Sequence, residues 1–133
     1  MFGTLAMIAT AQAAAVPSEP ADSIVRQFVV AITSGDRNAF ERLAPELIMM
    51  VTPDFGVPSA FADVSKTFGD CQFDRPERPQ AVEGIESVSS VHIAMTCPAT
   101  SRLNGRHGLV LLVSNGKVGG MVPQTIWASY KRH

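Results

Sequence analysis

Residues 24–45, IVRQFVVAITSGDRNAFERLAP, constrain the chain more than any other stretch. Ile24, Phe28 and Ala31 or Ile32 recur on one helical face, Val25 and Val29 flank it, and Arg26 and Gln27 mark the wet side. The spacing predicts a helix from about Ser23 to Thr33, with Asp22 or Ser23 accepting hydrogen bonds from its orphan N–H groups. Gly35 supplies a left-handed residue to end it. Asp36 then caps a second short helix that turns Ala39, Phe40 and Leu43 inward and stops at Pro45.

Beyond that pair the pattern changes period. Leu47 to Val51 is a continuous apolar run of strand length between two prolines. Phe61, Val64 and Phe68 return to helical spacing, with Pro58-Ser59 before them and Gly69 after, which predicts a third helix. Cys71 to Asp74 reads as a strand and Arg75 to Gln80 as a loop. Val91, Ile93, Met95 and Cys97 alternate with His92, Ala94 and Thr96, the period of two of a half-buried strand. Leu109 to Val113 is a further strand. Asn115-Gly116 marks a type I′ hairpin turn, in which both central residues need positive φ. The returning strand, Lys117 to about Ala128, carries Gly119, Gly120 and Pro123, which predict a bulge and an edge position. Helices grouped early and hairpin strands grouped late imply an α+β fold, with helices packed on one face of a curved sheet.

Composition bounds the rest. A chain of 133 residues with 46% hydrophobic content forms one domain with a real core. A net charge of −1 gives no electrostatic footprint for nucleic acid or anionic lipid, and the basic cluster Lys131-Arg132-His133 reads as a solvated tail. No apolar run approaches the ~20 residues that span a bilayer. Residues 1–15 are uncharged, with a short apolar stretch and an Ala11-Gln12-Ala13 tripeptide of the kind signal peptidase accepts. Cleavage near Ala13 or Ala15 would leave a periplasmic or secreted chain. No Lys or Arg precedes the apolar stretch, so either the true start lies upstream or the segment is an alanine-rich helix rather than a signal. Residues 16–22, with two prolines, form a flexible lead, and residues 23–133 form the domain.

The aromatic-bearing first helix (Ile24, Phe28), Ala31, Ser34-Gly35-Asp36, Ala39, Leu43 and the late Asn115-Gly116-Lys117-Val118 hairpin resemble the nuclear transport factor 2-like superfamily, which includes SnoaL-like (polyketide-cyclase-like) proteins and ketosteroid isomerases. The resemblance covers most of the chain after residue 22. It implies a cone, in which a bent antiparallel sheet wraps a long helix and encloses a pocket. It implies no single activity, because the superfamily spans isomerases, dehydratases, cyclases, ligand binders and transport adaptors.

Candidate chemistry is sparse. Cys71 and Cys97 fall on two strands, and in an oxidising compartment they pair; in a reducing one they stay as separate buried thiols. Two distant cysteines without paired histidines lack metal-ligand spacing, so neither a metal nor another cofactor is expected. His92 lies opposite Val91, Ile93 and Met95. It faces solvent or a second subunit if those three face the core, and the cone interior if the register is inverted. The second case makes it a general acid or base, with Asp54 or Asp74 as a carboxylate partner. His107 reads as a loop-end residue. Asp63 and Asp70 are further candidates for a pocket acid, and Asp63 falls off the Phe61/Val64/Phe68 face, which makes it solvated. An isomerase-type site needs a carboxylate base and a donor for the oxyanion, often a phenol. The only tyrosine is Tyr130, near the end, and Phe28 occupies the first helix, so no catalytic residue is carried over from the resemblance.

Phe28, Ile32, Phe61, Met95 and Trp127 are the candidates for an apolar ligand pocket, or else ordinary core. Three functions follow as expectations: an exported, non-enzymatic binder of a small apolar ligand or protein partner; a SnoaL-like isomerase, dehydratase or cyclase acting on an apolar substrate; and a structural homodimer formed through the sheet.

Overall fold

The computed structural model describes residues 20–131. The segment expected to be a signal, the first part of the expected lead and the basic terminal cluster beyond the backbone of residue 131 lie outside the described residues. Helix α1 (Ala21–Ser34) buries Ile24, Val25, Phe28, Val29, Ala31 and Ile32. Removing each larger side chain in that stripe from water contributes roughly 1.5–3 kcal/mol, which is what holds the helix to the rest of the domain. The helix starts two residues earlier than the periodicity predicts, and neither Asp22 nor Ser23 caps it. Pro20 precedes it instead, with its carbonyl accepting from the N–H groups of Ser23 and Ile24 at 3.0 and 3.2 Å. Gly35, at φ 75°, ends it in the left-handed region.

Asp36 caps α2 (Arg37–Leu43) by accepting from the Ala39 N–H at 3.1 Å. Phe40 then stacks on Phe28, with centroids 5.3 Å apart, and meets Phe61 of α3 (Phe61–Phe68) edge-on at 5.4 Å. This aromatic chain ties the three helices into one layer.

The second layer is a sheet in the order β2-β1-β7-β6-β5-β3, with β4 also paired to β5. Its strands are β1 (Ile48–Thr52), β2 (Phe55–Pro58), β3 (Gln72–Phe73), β4 (Gln80–Val82), β5 (Ile85–Cys97), β6 (Gly105–Ser114) and β7 (Lys117–Pro123). Val91, Ile93, Met95, Leu109, Leu111, Val113, Val118 and Met121 point inward to the helices and are buried. Asn115 (φ 53°) and Gly116 (φ 73°) make the β6–β7 turn. The side chain of Lys117 donates to the Arg42 carbonyl at 2.8 Å, fastening that hairpin to the end of α2.

Four expectations need correction. The sheet is mixed, because β1 runs parallel to β7 through Ile48↔Gly120 and Met49↔Met121. β7 is consequently central rather than an edge. The bulge is present, at Gly119: Leu112 pairs with Gly120 but Val113 with Val118. β7 also ends at Pro123, whose missing N–H cannot continue a ladder, and α4 (Gln124–Lys131) follows. Ile126, Trp127 and Tyr130 have the helical spacing that reading residues 117–128 as one strand overlooks. Finally, β2 and β4 are strands in segments where the sequence pattern names none, and Gln80, read as the end of a loop, opens β4. Helix α4 packs on the outer face of β6 and β7 and covers Val110 and Val122.

Cys71 and Cys97 form a disulfide, with Cα atoms 4.2 Å apart. They continue the β3–β5 register of Gln72↔Thr96 and Phe73↔Met95, so the bond clamps one end of a two-residue strand whose other end is held by the Asp74 N–H on the Ala94 carbonyl at 2.8 Å.

Candidate ligand cleft

A cleft of about 380 Å³ opens between α3, β1 and the inner face of β5–β6. Its walls are mainly apolar: Met49, Met50 and Val51 from β1, Val64 and Phe68 from α3, Met95 from β5, Leu109 from β6, and Leu103 from the loop between β5 and β6. Its polar side chains are Ser59, Asp63, Thr67 and His107. Among the described residues no Lys or Arg lines it, and Asp63 is the only carboxylate on its wall.

Strand and helix periodicity put these groups there. His107 shares its parity on β6 with Leu109, Leu111 and Val113, so it turns inward as they do. Asp63 and Thr67 lie one turn apart on α3 and flank the buried pair Val64 and Phe68. Sequence reasoning offers Asp63 as a pocket acid but sets it aside as solvated, and it leaves His107 at a loop end. The usable signal was parity, which extends β6 two residues ahead of Leu109.

Hydrogen-bond accounting defines the polar end. The Ser59 hydroxyl donates to the Val57 carbonyl at 3.2 Å, and the Thr67 hydroxyl to the Asp63 carbonyl at 2.9 Å. The Nε2 atom of His107 meets the carbonyls of Leu103 and, at 3.1 Å, Asn104. Carbonyls only accept, so Nε2 carries a proton, and in the neutral form of the ring Nδ1 is the acceptor. The Asp63 carboxylate has no donor among the described residues. Among the described residues of the cleft wall, with the His107 ring neutral, every side-chain donor is therefore committed to backbone, and the unspent capacity is acceptor capacity.

The earlier candidates are dispersed. Met95 lines the cleft. Phe28 and Ile32 are sealed in the core at 0% and 1% exposure, and Phe61 packs on Phe40 beneath the Arg37 guanidinium. His92 points outward, its Nδ1 3.3 Å from Gln124 Oε1 on α4. Asp54 is exposed in the β1–β2 turn, and Asp74 is held by Arg106 at 2.6 Å in an exposed ion pair. The fold thus does not bring His92, Asp54 and Asp74 together.

Trp127 stands on the outer face, beside a more polar groove of about 630 Å³ shared with Gln80, Glu83, Ser90 and Tyr130. Its indole N–H is buried with no partner among the described residues. No group of His, Cys, Asp and Glu among the described residues could hold a metal ion, and no described helix is long and apolar enough to cross a membrane.

No family model matches the sequence, and no curated protein sequence is similar to it. Solved structures do resemble it. A candidate ketosteroid isomerase from Kribbella flavida is 14% identical, with a TM-score of 0.50 over 80% of this chain and 78% of that one. An LEH-like epoxide hydrolase from M. tuberculosis (13% identical, 81% of each chain) gives 0.46. A candidate polyketide cyclase from Pseudomonas putida (14% identical, 84% of this chain and 98% of that one) gives 0.45. At such identities a likeness speaks to fold and not to chemistry. Helices packed over an open curved sheet, together with the Kribbella flavida likeness, give this chain the nuclear transport factor 2-like fold.

Proposed function

We propose that the chain is an exported domain that holds a small apolar ligand in the cleft between α3 and the sheet. The observation that carries this reading is the cleft itself: a preformed space of about 380 Å³ walled by Met49, Met50, Phe68, Met95 and Leu109 with a few polar groups at one end. That composition is what small-molecule sites share. The disulfide supports export, because such bonds persist in oxidising compartments.

A fluorescent apolar probe tests it. The disulfide-bonded protein should bind the probe saturably, and Thr67→Trp, which fills the cleft from an exposed position on α3, should abolish binding while leaving the thermal midpoint in place. Binding that survives Thr67→Trp, or none in the parent protein, removes the proposal.

A second reading has one observation in its favour. Asp63 and His107 place a carboxylate and an imidazole on one apolar cleft, the groups that move protons in isomerases, dehydratases and cyclases. Chemistry that builds an oxyanion is disfavoured, since among the described residues of the cleft wall no side-chain donor is free to stabilise it while the His107 ring is neutral. A turnover lost in both Asp63→Asn and His107→Gln would favour the enzyme.

A further inference from the structure

We infer that the cleft selects ligands that donate hydrogen bonds, and specifically an apolar body ending in an amine; this rests on the cleft being a ligand site at all. Four polar side chains face the space. The hydroxyls of Ser59 and Thr67 have given their protons to the carbonyls of Val57 and Asp63. His107 has given Nε2–H to carbonyls of its own loop, which in the neutral ring leaves Nδ1 as an acceptor. Asp63 presents a carboxylate, an acceptor only, that no described residue satisfies.

A ligand ending in a ketone or carboxylate would bring more acceptors to a wall of acceptors, and a carboxylate would also face the Asp63 charge with no Lys or Arg among the described residues of the wall to offset it. An ammonium group reverses both terms. It supplies three donors to the acceptors at the rim and one positive charge to the fixed negative one. An alcohol satisfies the hydrogen bonding but not the charge and falls between. The apolar walls then set the remainder of the molecule, which is hydrocarbon or aromatic and small enough for the cleft.

Three probes with one ring system separate these terms: 2-naphthylmethylamine, 2-naphthalenemethanol and 2-naphthoate, titrated calorimetrically into the full disulfide-bonded chain. The amine should bind about tenfold more tightly than the naphthoate, the low end for a charge-assisted hydrogen bond because Asp63 is exposed. The alcohol should lie between them. Asp63→Asn should bring the amine level with the alcohol, and raised salt should narrow the amine's lead in the parent protein. Naphthoate binding as tightly as the amine, or an amine preference that survives both Asp63→Asn and high salt, overturns the inference while leaving the apolar cleft intact. If none of the three binds, the cleft reading falls and the amine preference with it.

Discussion

His107 and Met95 sit directly opposite one another on β6 and β5, and both face the cleft. One is the most polar ring on that wall and the other a fully buried thioether. The imidazole also closes the connection between its two strands, because its Nε2–H reaches back to carbonyls at 103 and 104. His107→Leu keeps a side chain of similar bulk and removes that closure. We expect a loss of about 1 kcal/mol, the usual net value of such a bond, and faster amide exchange at Leu103 and Asn104. Unchanged exchange at both amides would show that the turn bonds within residues 98–104 hold the loop unaided.

The Cys71–Cys97 bond closes a separation of 26 residues. Chain-entropy arguments put its contribution at about 3–4 kcal/mol, a large share of the ~5–15 kcal/mol typical of a domain. Cys71→Ala/Cys97→Ala, or reduction of the parent protein, should lower the urea midpoint accordingly. Loss of protection should begin at β3, which pairs with β5 through two residues only. A midpoint indifferent to reductant contradicts this.

Phe28 is completely buried at the head of the Phe28–Phe40–Phe61 chain, whereas Phe61 is half-buried beneath Arg37. Phe28→Ala should cost about 3–5 kcal/mol, in line with other buried phenylalanines, and Phe61→Ala clearly less. Neither ring lines the cleft, so Phe61→Ala should leave probe affinity unchanged. A large affinity loss in that folded variant would mean that Phe61 contributes to the ligand site after all.

What could be read from the sequence follows from how local each signal is. Asp36, Gly35 and Asn115-Gly116 act through their own backbone, and each takes the role its chemistry predicts. The alternation through Val91, Ile93 and Met95 is strong enough to fix His92 on the outer face once the helices claim the inner one. The parallel β1–β7 pairing is not local: its partners are some seventy residues apart, and nothing in either strand names the other. The cleft is harder still. Asp63 and His107 come from different layers, and each alone looks like a solvated group at the end of an element. Their shared cavity exists only after α3 has been set across β6.

The two adjacent glycines of β7 make opposite predictions. Gly119 is the bulged residue; a Cβ there would meet nothing within 4 Å, and its φ is not positive. Gly119→Ala should be neutral or stabilise by up to about 1 kcal/mol by restricting the unfolded chain. A Cβ on Gly120 would come within 3.2 Å of Leu112 Cδ1, a half-buried tip that has to give by a few tenths of an ångström, so Gly120→Ala should be the less favourable of the two, costing up to about 1 kcal/mol. Urea midpoints in the reverse order would place the bulge elsewhere.

Trp127 carries a buried indole N–H without a partner among the described residues, while its ring meets Tyr130 edge-on at 6.1 Å and the Tyr130 hydroxyl donates to the Pro53 carbonyl at 2.6 Å. A buried, unmet donor costs about 1–3 kcal/mol. Trp127→Phe discards that donor, keeps an aromatic edge for Tyr130 and gives up some buried area. The two changes oppose each other, so the variant should stay within about 1 kcal/mol of the parent. Trp127→Ala loses the ring altogether and should cost about 3 kcal/mol or more, by comparison with other aromatic truncations. The contrast carries the information. Suppose Trp127→Phe is as damaging as Trp127→Ala. The indole N–H is then bonded in solution, and the groove beside Gln80, Glu83 and Ser90 is where its acceptor has to be found. This is the chain's only tryptophan, so its emission offers an independent check: an unbonded, buried indole fluoresces to the blue of a hydrogen-bonded one.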